Sequence, residues 1–436
     1  MGAARLETDK LFSLLHENAW YERPIDRRHR LIFYLGHVDA FDWVLLGRRH
    51  LRLPPLDHQL DALFEAGIDP PAGQEPQDRP EDWPTVEETR QYVGEARRRV
   101  DAILESCSEE AVQMAIEHRL MHAETLAYLL HCLPFDMKRA PAGPPSPAVD
   151  PAPMQQWMTI PPGAATLGRR RQDSFGWDNE FEEHSVQVPA FQITRYKITN
   201  GEYLQFVEAG GPAPHYWTPT AKGWTWRGMF SRIDLPLNWP VYVSWRQAQA
   251  FAEWKRASLP TEAQFHRAAY GQPGGEERSY PWGEEPPSAA YGNFDFLGWD
   301  PVAVTLNPAG DSAFGVAQLV GNGWEWTSSP FAPFPGFRVA EEYPGYSAPF
   351  FDGQHYVLKG ASCRTAARLL RRSFRNWFRD DYPYAYTAFR LVRPAQEGRS
   401  HTSDRRDRYS PEGASGHELR RASGGDRPAS GGPCAG

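Results

Sequence analysis

Residues 139–153 read R-A-P-A-G-P-P-S-P-A-V-D-P-A-P, with six prolines in fifteen positions and no aromatic residue. Proline lacks the amide proton and fixes φ, so such a stretch neither continues a helix nor sits inside a sheet. It reads as a linker. The chain has a different pattern on each side of it, and that difference sets the fold class.

Upstream, residues 1–138 read as helical, with few glycines. Leu31, Phe33, Tyr34, His37, Val38, Phe41 and Leu45 recur at helical spacing. A second amphipathic stretch runs from Thr85 to Leu104, where Thr85 and Glu88 have the spacing of a capping box. A third runs from about Glu109 to Leu133 and stops at Pro134. With one helix before Trp20, the pattern predicts about four helices, as in an up-down bundle. Pro54, Pro55 and the stretch from Asp69 to Pro84 read as a long connection within it.

Downstream the pieces are short. Ser185 to Val188, Phe191 to Ile193, Val241 to Ser244, Tyr356 to Lys359 and Ala388 to Val392 read as strands. Asn200 to Glu208, Trp245 to Arg256 and Thr261 to Tyr270 read as helices, with Gly, Pro, Asn and Trp between. Residues 396–436 lack periodicity and are predicted to be a disordered tail. The expected domains are therefore 1–138, the linker 139–153, 154–395 and the tail 396–436.

The chain has 436 residues, enough for two or three domains, and ordinary globular usage: 41% hydrophobic and 23% charged. The excess lies in 16 Trp and 40 Pro. Only Trp20, Trp43 and Trp83 precede the linker; the others follow it, where short strands and long loops need large side chains for a core. A net charge of -8 argues against a general nucleic-acid binder. Cys107, Cys132, Cys363 and Cys434 form no C-x-x-C pair, so neither a zinc ribbon nor a disulfide framework is indicated. Met1 to Asp9 lacks an apolar core for a signal peptide, and no apolar run approaches the ~18 residues of a membrane span. The expectation is a soluble cytoplasmic protein, without nucleic acid or membrane.

The sharpest chemical signal is I-E-H-R-L-M-H-A-E-T-L, residues 116–126. His118 and His122 are four apart, so both imidazoles lie on one helix face and can hold one divalent metal. The pair alone is equally compatible with two packed histidines. His37, in Y-L-G-H-V-D-A-F, lies on the predicted inner face of another helix. Three histidines meeting in a bundle core would suit iron(II) or zinc and leave positions open for substrate. Asp39, Glu117 and Glu124 are nearby carboxylates, although Glu117 and Glu124 lie off the histidine face.

The second half resembles a formylglycine-generating-enzyme-type domain, a variant of the C-type-lectin-like fold. The matching pieces occur in that family's order: F-G-W-D-N-E (175–180), I-T-N-G-E-Y-L-Q-F (198–206), V-S-W (243–245), L-P-T-E-A-Q-F (259–265), Y-P-W-G (280–283), G-N-G-W-E-W-T (321–327), V-L-K-G-A-S (357–362) and A-F-R-L-V (388–392). The first half resembles a DinB-like bundle. The expected class is thus α+β, a helical bundle followed by a lectin-like domain and a disordered tail. Together the two halves are similar to the sulfoxide synthases of ergothioneine and ovothiol biosynthesis. The stretches 27–37 and 82–90 look closer to the ovothiol type; W-E-W-T-S-S-P-F (324–331) and S-F-R-N-W-F (373–378) look closer to the ergothioneine type.

This resemblance implies iron(II) held by His37, His118 and His122. It implies a reaction of dioxygen in which the sulfur of a thiol is joined to an imidazole carbon of histidine or hercynine. Tyr343 or Tyr346, in E-E-Y-P-G-Y-S, would donate a proton. Asn376 would contact the histidine-derived substrate, Met121 stands where a substrate-binding Gln is usual, and Arg375 and Arg379 could hold a substrate carboxylate. The sequence departs from the pattern at Met121, at Phe378, where a carboxylate is usual, and at Gly323, where a β-branched residue is usual. Three other readings compete. A formylglycine-generating oxidase would need a second cysteine at position 368, which is Arg. A non-catalytic binding protein need not bring the three histidines together. A zinc hydrolase or thiol transferase would use the bundle alone.

Overall fold

The first half is helical in this structure, a computed structural model that describes residues 1–65, 77–141 and 150–395. The helices are α1 (Gly2–Ser13), α2 (Leu31–Asp42), α3 (His58–Glu65), α4 (Val86–Ile103) and α5 (Glu109–Cys132). Thr85 caps α4, and Glu88 returns the bond to complete the box. Ser108 caps α5, which ends at Leu133 before Pro134. Beyond Asp42 the second helix continues as a π-helix over Trp43–His50. α2 packs against α3, α4 and α5, and α1 against α5.

One helix was not foreseen. α3 lies between the two proline-rich parts of the expected connection. Asp57 starts it by accepting from the amides of Gln59 (2.8 Å) and Leu60 (2.9 Å). The eight-residue length of α3 leaves little periodic signal to read.

The second half is built on short strands: β1 (Trp157–Ile160), β2 (Gly163–Leu167), β3 (His184–Val188) and β4 (Phe191–Thr194), followed by α6 (Asn200–Glu208). A three-stranded meander follows, with β5 (Trp217–Thr220), β6 (Gly223–Arg227) and β7 (Arg232–Asp234); then come α7 (Trp245–Trp254) and α8 (Glu262–Tyr270). The last strands are β8 (Gly323–Pro330), β9 (His355–Ala361), β10 (Asn376–Arg379), β11 (Thr387–Ala388) and β12 (Val392–Pro394). The central sheet has the order β10-β9-β8-β11, and a second sheet has the order β1-β4-β12.

Two expected strands change form. Val241 to Ser244 is not a strand: Val241 and Val243 each donate to a separate segment, at Ile198 and Thr387, and Ser244 caps α7. The run from Ala388 to Val392 is divided between two sheets. Between the two pieces the buried Arg390 donates to both oxygens of Glu325 at 2.9 Å. Lys197 meets the same carboxylate at 2.5 Å, so the charge buried with the W-E-W motif is paired. Gly323 now has a physical reason. Its φ is +129°, and a Cβ there would lie 2.8 Å from the Tyr242 ring.

Residues 1–395 form one compact unit. Its largest apolar core is continuous from Leu31, Leu46 and Leu129 to Trp177, Trp324 and Phe389, crossing both halves. No described helix is long and apolar enough to cross a membrane. The expected tail, 396–436, and residues 142–149 of the linker lie outside the described residues.

Candidate metal centre

The glycine before His37 sets the first contact. A Cβ at Gly36 would lie 2.4 Å from the buried Phe64 ring, so glycine lets α3 press against α2. The Phe64 carbonyl then accepts from His37 Nδ1 at 2.6 Å. A carbonyl can only accept, so Nδ1 carries the proton and Nε2 presents its lone pair.

α5 brings the other two imidazoles. His118 and His122 are one turn apart on the face turned to α2. His37 Nε2 stands 3.3 Å from His122 Nε2. Ligand atoms of all three residues lie within 4.8 Å of one another. Two nitrogens bound to one metal at ~2.1 Å in tetrahedral or cis geometry would stand about 3.0–3.4 Å apart. All three histidines are buried, and both ring nitrogens of His118 and Nδ1 of His122 have no hydrogen-bond partner. Burial pushes His37 down to about 4 and the other two well below the usual imidazole range. All three are therefore neutral at physiological pH, as metal ligands must be. Phe41 stacks on His118 with ring centroids 3.4 Å apart, which fixes that ring's plane.

The neighbouring carboxylates are used elsewhere. Asp39 binds Arg119 at 2.5 Å and Arg97 at 3.0 Å. Glu117 takes a two-pronged bond from Arg371 (2.7 and 2.9 Å) and one from Trp177 Nε1 (2.9 Å). Glu124 accepts from Trp324 Nε1 (2.7 Å), Ser362 (2.5 Å) and Thr365 (2.8 Å). Positions 117, 121 and 124 form one stripe of α5 facing the second half, while 118 and 122 face α2. Glu117 and Glu124 thus dock α5 on the lectin-like half, Asp39 ties α2 to α4 and α5, and the histidines are left as the donor set.

The two tyrosines differ in place. The Tyr343 ring stands edge-on to His118 (5.9 Å between centroids) and to Phe41 (5.1 Å). Tyr346 stacks on Trp177 at 4.0 Å, and its hydroxyl meets Met121 Sδ at 3.4 Å. Met121 is thereby part of the packing between α5 and the Tyr346 loop. Along β10 the residues alternate, so Asn376 shares a side with Phe378, and Arg379 lies on the other. Phe378 stacks on Tyr382 at 4.9 Å and meets Tyr128 of α5 edge-on at 6.3 Å. Arg375, expected to hold a substrate carboxylate, is instead buried and donates to Glu262 (3.0 Å) and the carbonyls of Asn179 and Ala332. Arg379 donates to Gln354 at 2.5 Å.

Sequence reading gave no site role to Phe64, Phe41, Trp177 or Arg371, although Trp177 stands in the F-G-W-D-N-E motif. Phe41 had a signal, four residues after His37. Arg371 and Phe64 had none, because each acts through partners distant in sequence.

The sulfatase-modifying factor enzyme 1-like domain model matches residues 144–395, and the DinB superfamily model matches residues 2–135. Among curated relatives, a hercynine oxygenase of Mycolicibacterium thermoresistibile is 33% identical over 84% of this chain and 86% of its own. One of Mycolicibacterium smegmatis is 34% identical over 71% of this chain and 77% of its own. One of Mycobacterium tuberculosis is 41% identical over 50% of this chain and 55% of its own.

Proposed function

Since the chain belongs to the family of the hercynine oxygenases, with a DinB superfamily bundle before a sulfatase-modifying-factor-type domain, we propose that it is an iron(II)-dependent sulfoxide synthase of the ergothioneine type. A thiol sulfur is joined to an imidazole carbon of hercynine or histidine. The balance is thiol plus imidazole C–H plus dioxygen giving sulfoxide plus water. One oxygen atom goes to sulfur, and the other leaves as water with the two hydrogens. The observation that carries this reading is the convergence of His37, His118 and His122, neutral and buried, beneath Tyr343 of the other half.

The three imidazoles fit a divalent metal: they are uncharged, one ring nitrogen from each lies within 4.8 Å of the others, and the nearby carboxylates of Asp39, Glu117 and Glu124 are bonded elsewhere. Bound there, iron(II) would supply redox chemistry and open coordination positions for the reactants. The Phe64 carbonyl orients His37, and Phe41 orients His118. Of the two tyrosines, Tyr343 is the proton donor of this proposal, since its ring stands against His118. The Tyr346 hydroxyl is spent on a thioether within the packing. Asn376 and the Phe378–Tyr382 pair form the substrate side of β10. Arg375 serves the fold rather than the substrate.

The test is oxygen uptake by protein loaded anaerobically with iron(II), with hercynine or histidine paired with cysteine, glutamylcysteine or a selenium donor. Uptake is expected only with both substrates present, together with a product of sulfoxide mass or its selenium counterpart. No uptake with any pair contradicts the proposal.

A further inference from the structure

The buried carboxylate of Asp178 has no role in the chemistry described so far. It sits in the W-D-N-E turn, 4% exposed, and its bonding partners are neutral. Oδ1 accepts from Ser347 Oγ at 2.5 Å, and Oδ2 from the Ala340 amide at 3.5 Å. Burying a carboxylate is costly unless it is hydrogen-bonded; beside the adjacent Asn179 amide, its donors come from the two feet of one loop. Tyr343 lies between those feet. The adjoining turn residues hold the same region: Trp177 stacks on Tyr346, and Glu180 binds Arg371 and Ser373. From the bundle side, Arg49 donates to the Glu342 carbonyl at 2.7 Å.

We propose that Asp178 is a positioning residue: by fastening both feet of the 340–347 loop it holds Tyr343 against His118 and Phe41. The role in catalysis rests on the function proposed above. The placement of Tyr343 does not, and it can be measured separately.

The experiment incorporates 3-fluorotyrosine at position 343 of the full chain and follows its fluorine resonance, first without metal and then with cobalt(II). In the unsubstituted protein the resonance is expected away from that of free 3-fluorotyrosine, shifted by the two neighbouring rings, and broadened by cobalt. In Asp178→Asn and in Ser347→Ala it should move toward the free position. Circular dichroism and bound cobalt per chain should stay unchanged. With iron(II), kcat for oxygen uptake should fall roughly tenfold or more while KM for the thiol stays within about twofold. A resonance that stays in place in both variants overturns the proposal. So does a resonance that moves while kcat is unchanged. If the unsubstituted protein binds no cobalt or consumes no oxygen, the functional reading fails, and the metal-free resonance still decides the positioning.

Discussion

At the histidines, burial does two things at once. It removes the hydration that would stabilise the charged imidazolium and leaves the imidazole nitrogens close to one another. The Y-L-G-H motif showed His37, but the reason for its glycine needed the structure, because Phe64 arrives from a helix the sequence did not announce. Gly36→Ala should displace Phe64 and free His37 Nδ1. Metal affinity is then expected to fall about 10–100-fold, measured by competition with a chromophoric chelator. The tyrosines make a sharper contrast. Tyr343→Phe should lower kcat by about 10²–10⁴, the usual worth of a positioned proton donor. Tyr346→Phe should leave kcat within a few-fold, because its hydroxyl meets only Met121 Sδ among described atoms. The reverse order would exchange the two assignments. Sequence spacing could not separate them, since both lie in one seven-residue motif and only the loop's path distinguishes them.

The helix α5 carries the site and joins the halves, with a different task on each stripe. His118 and His122 face α2, Arg119 binds Asp39 and Asp42 at 2.5 and 2.6 Å, and Glu117 and Glu124 dock the lectin-like half. Sequence alone gave the helix, its stop at Pro134 and the histidine face, because those depend on local spacing. It did not give the partners of Glu117, which come from positions 177 and 371. Replacing Arg371 with Met would leave Glu117 and Glu180 buried without their cation. A loss of about 3–5 kcal/mol is expected by denaturant unfolding. Ser108→Ala removes the cap of α5 and should cost about 1 kcal/mol in the same measurement. An equal effect of the two substitutions would contradict the docking role of Arg371.

At the scale of the whole molecule, the two halves share one core and one buried polar seam. His131 of α5 spans that seam, between the Arg227 carbonyl (2.6 Å) and the Tyr386 hydroxyl (3.2 Å). Burial lowers it from 6.5 to about 3. The unfolded chain therefore binds a proton near pH 6.5 that the folded chain refuses until about pH 3. The stability contributed by the neutral folded form is full above pH 6.5 and declines as the pH falls through that window, by up to about 1.4 kcal/mol per pH unit. His131→Gln should flatten this part of the pH–stability curve; an unchanged slope would contradict the assignment. The α+β class and the tryptophan-rich second half were legible in the sequence, because each rests on composition or periodicity. The seam was not legible, since it joins residues up to about 255 positions apart. The most direct test of the central claim is an anaerobic iron(II) titration of the full chain and of His118→Ala. One equivalent bound by the unsubstituted protein and none by the variant is expected. Equal binding by both, or none by either, would contradict a metal centre built from His37, His118 and His122.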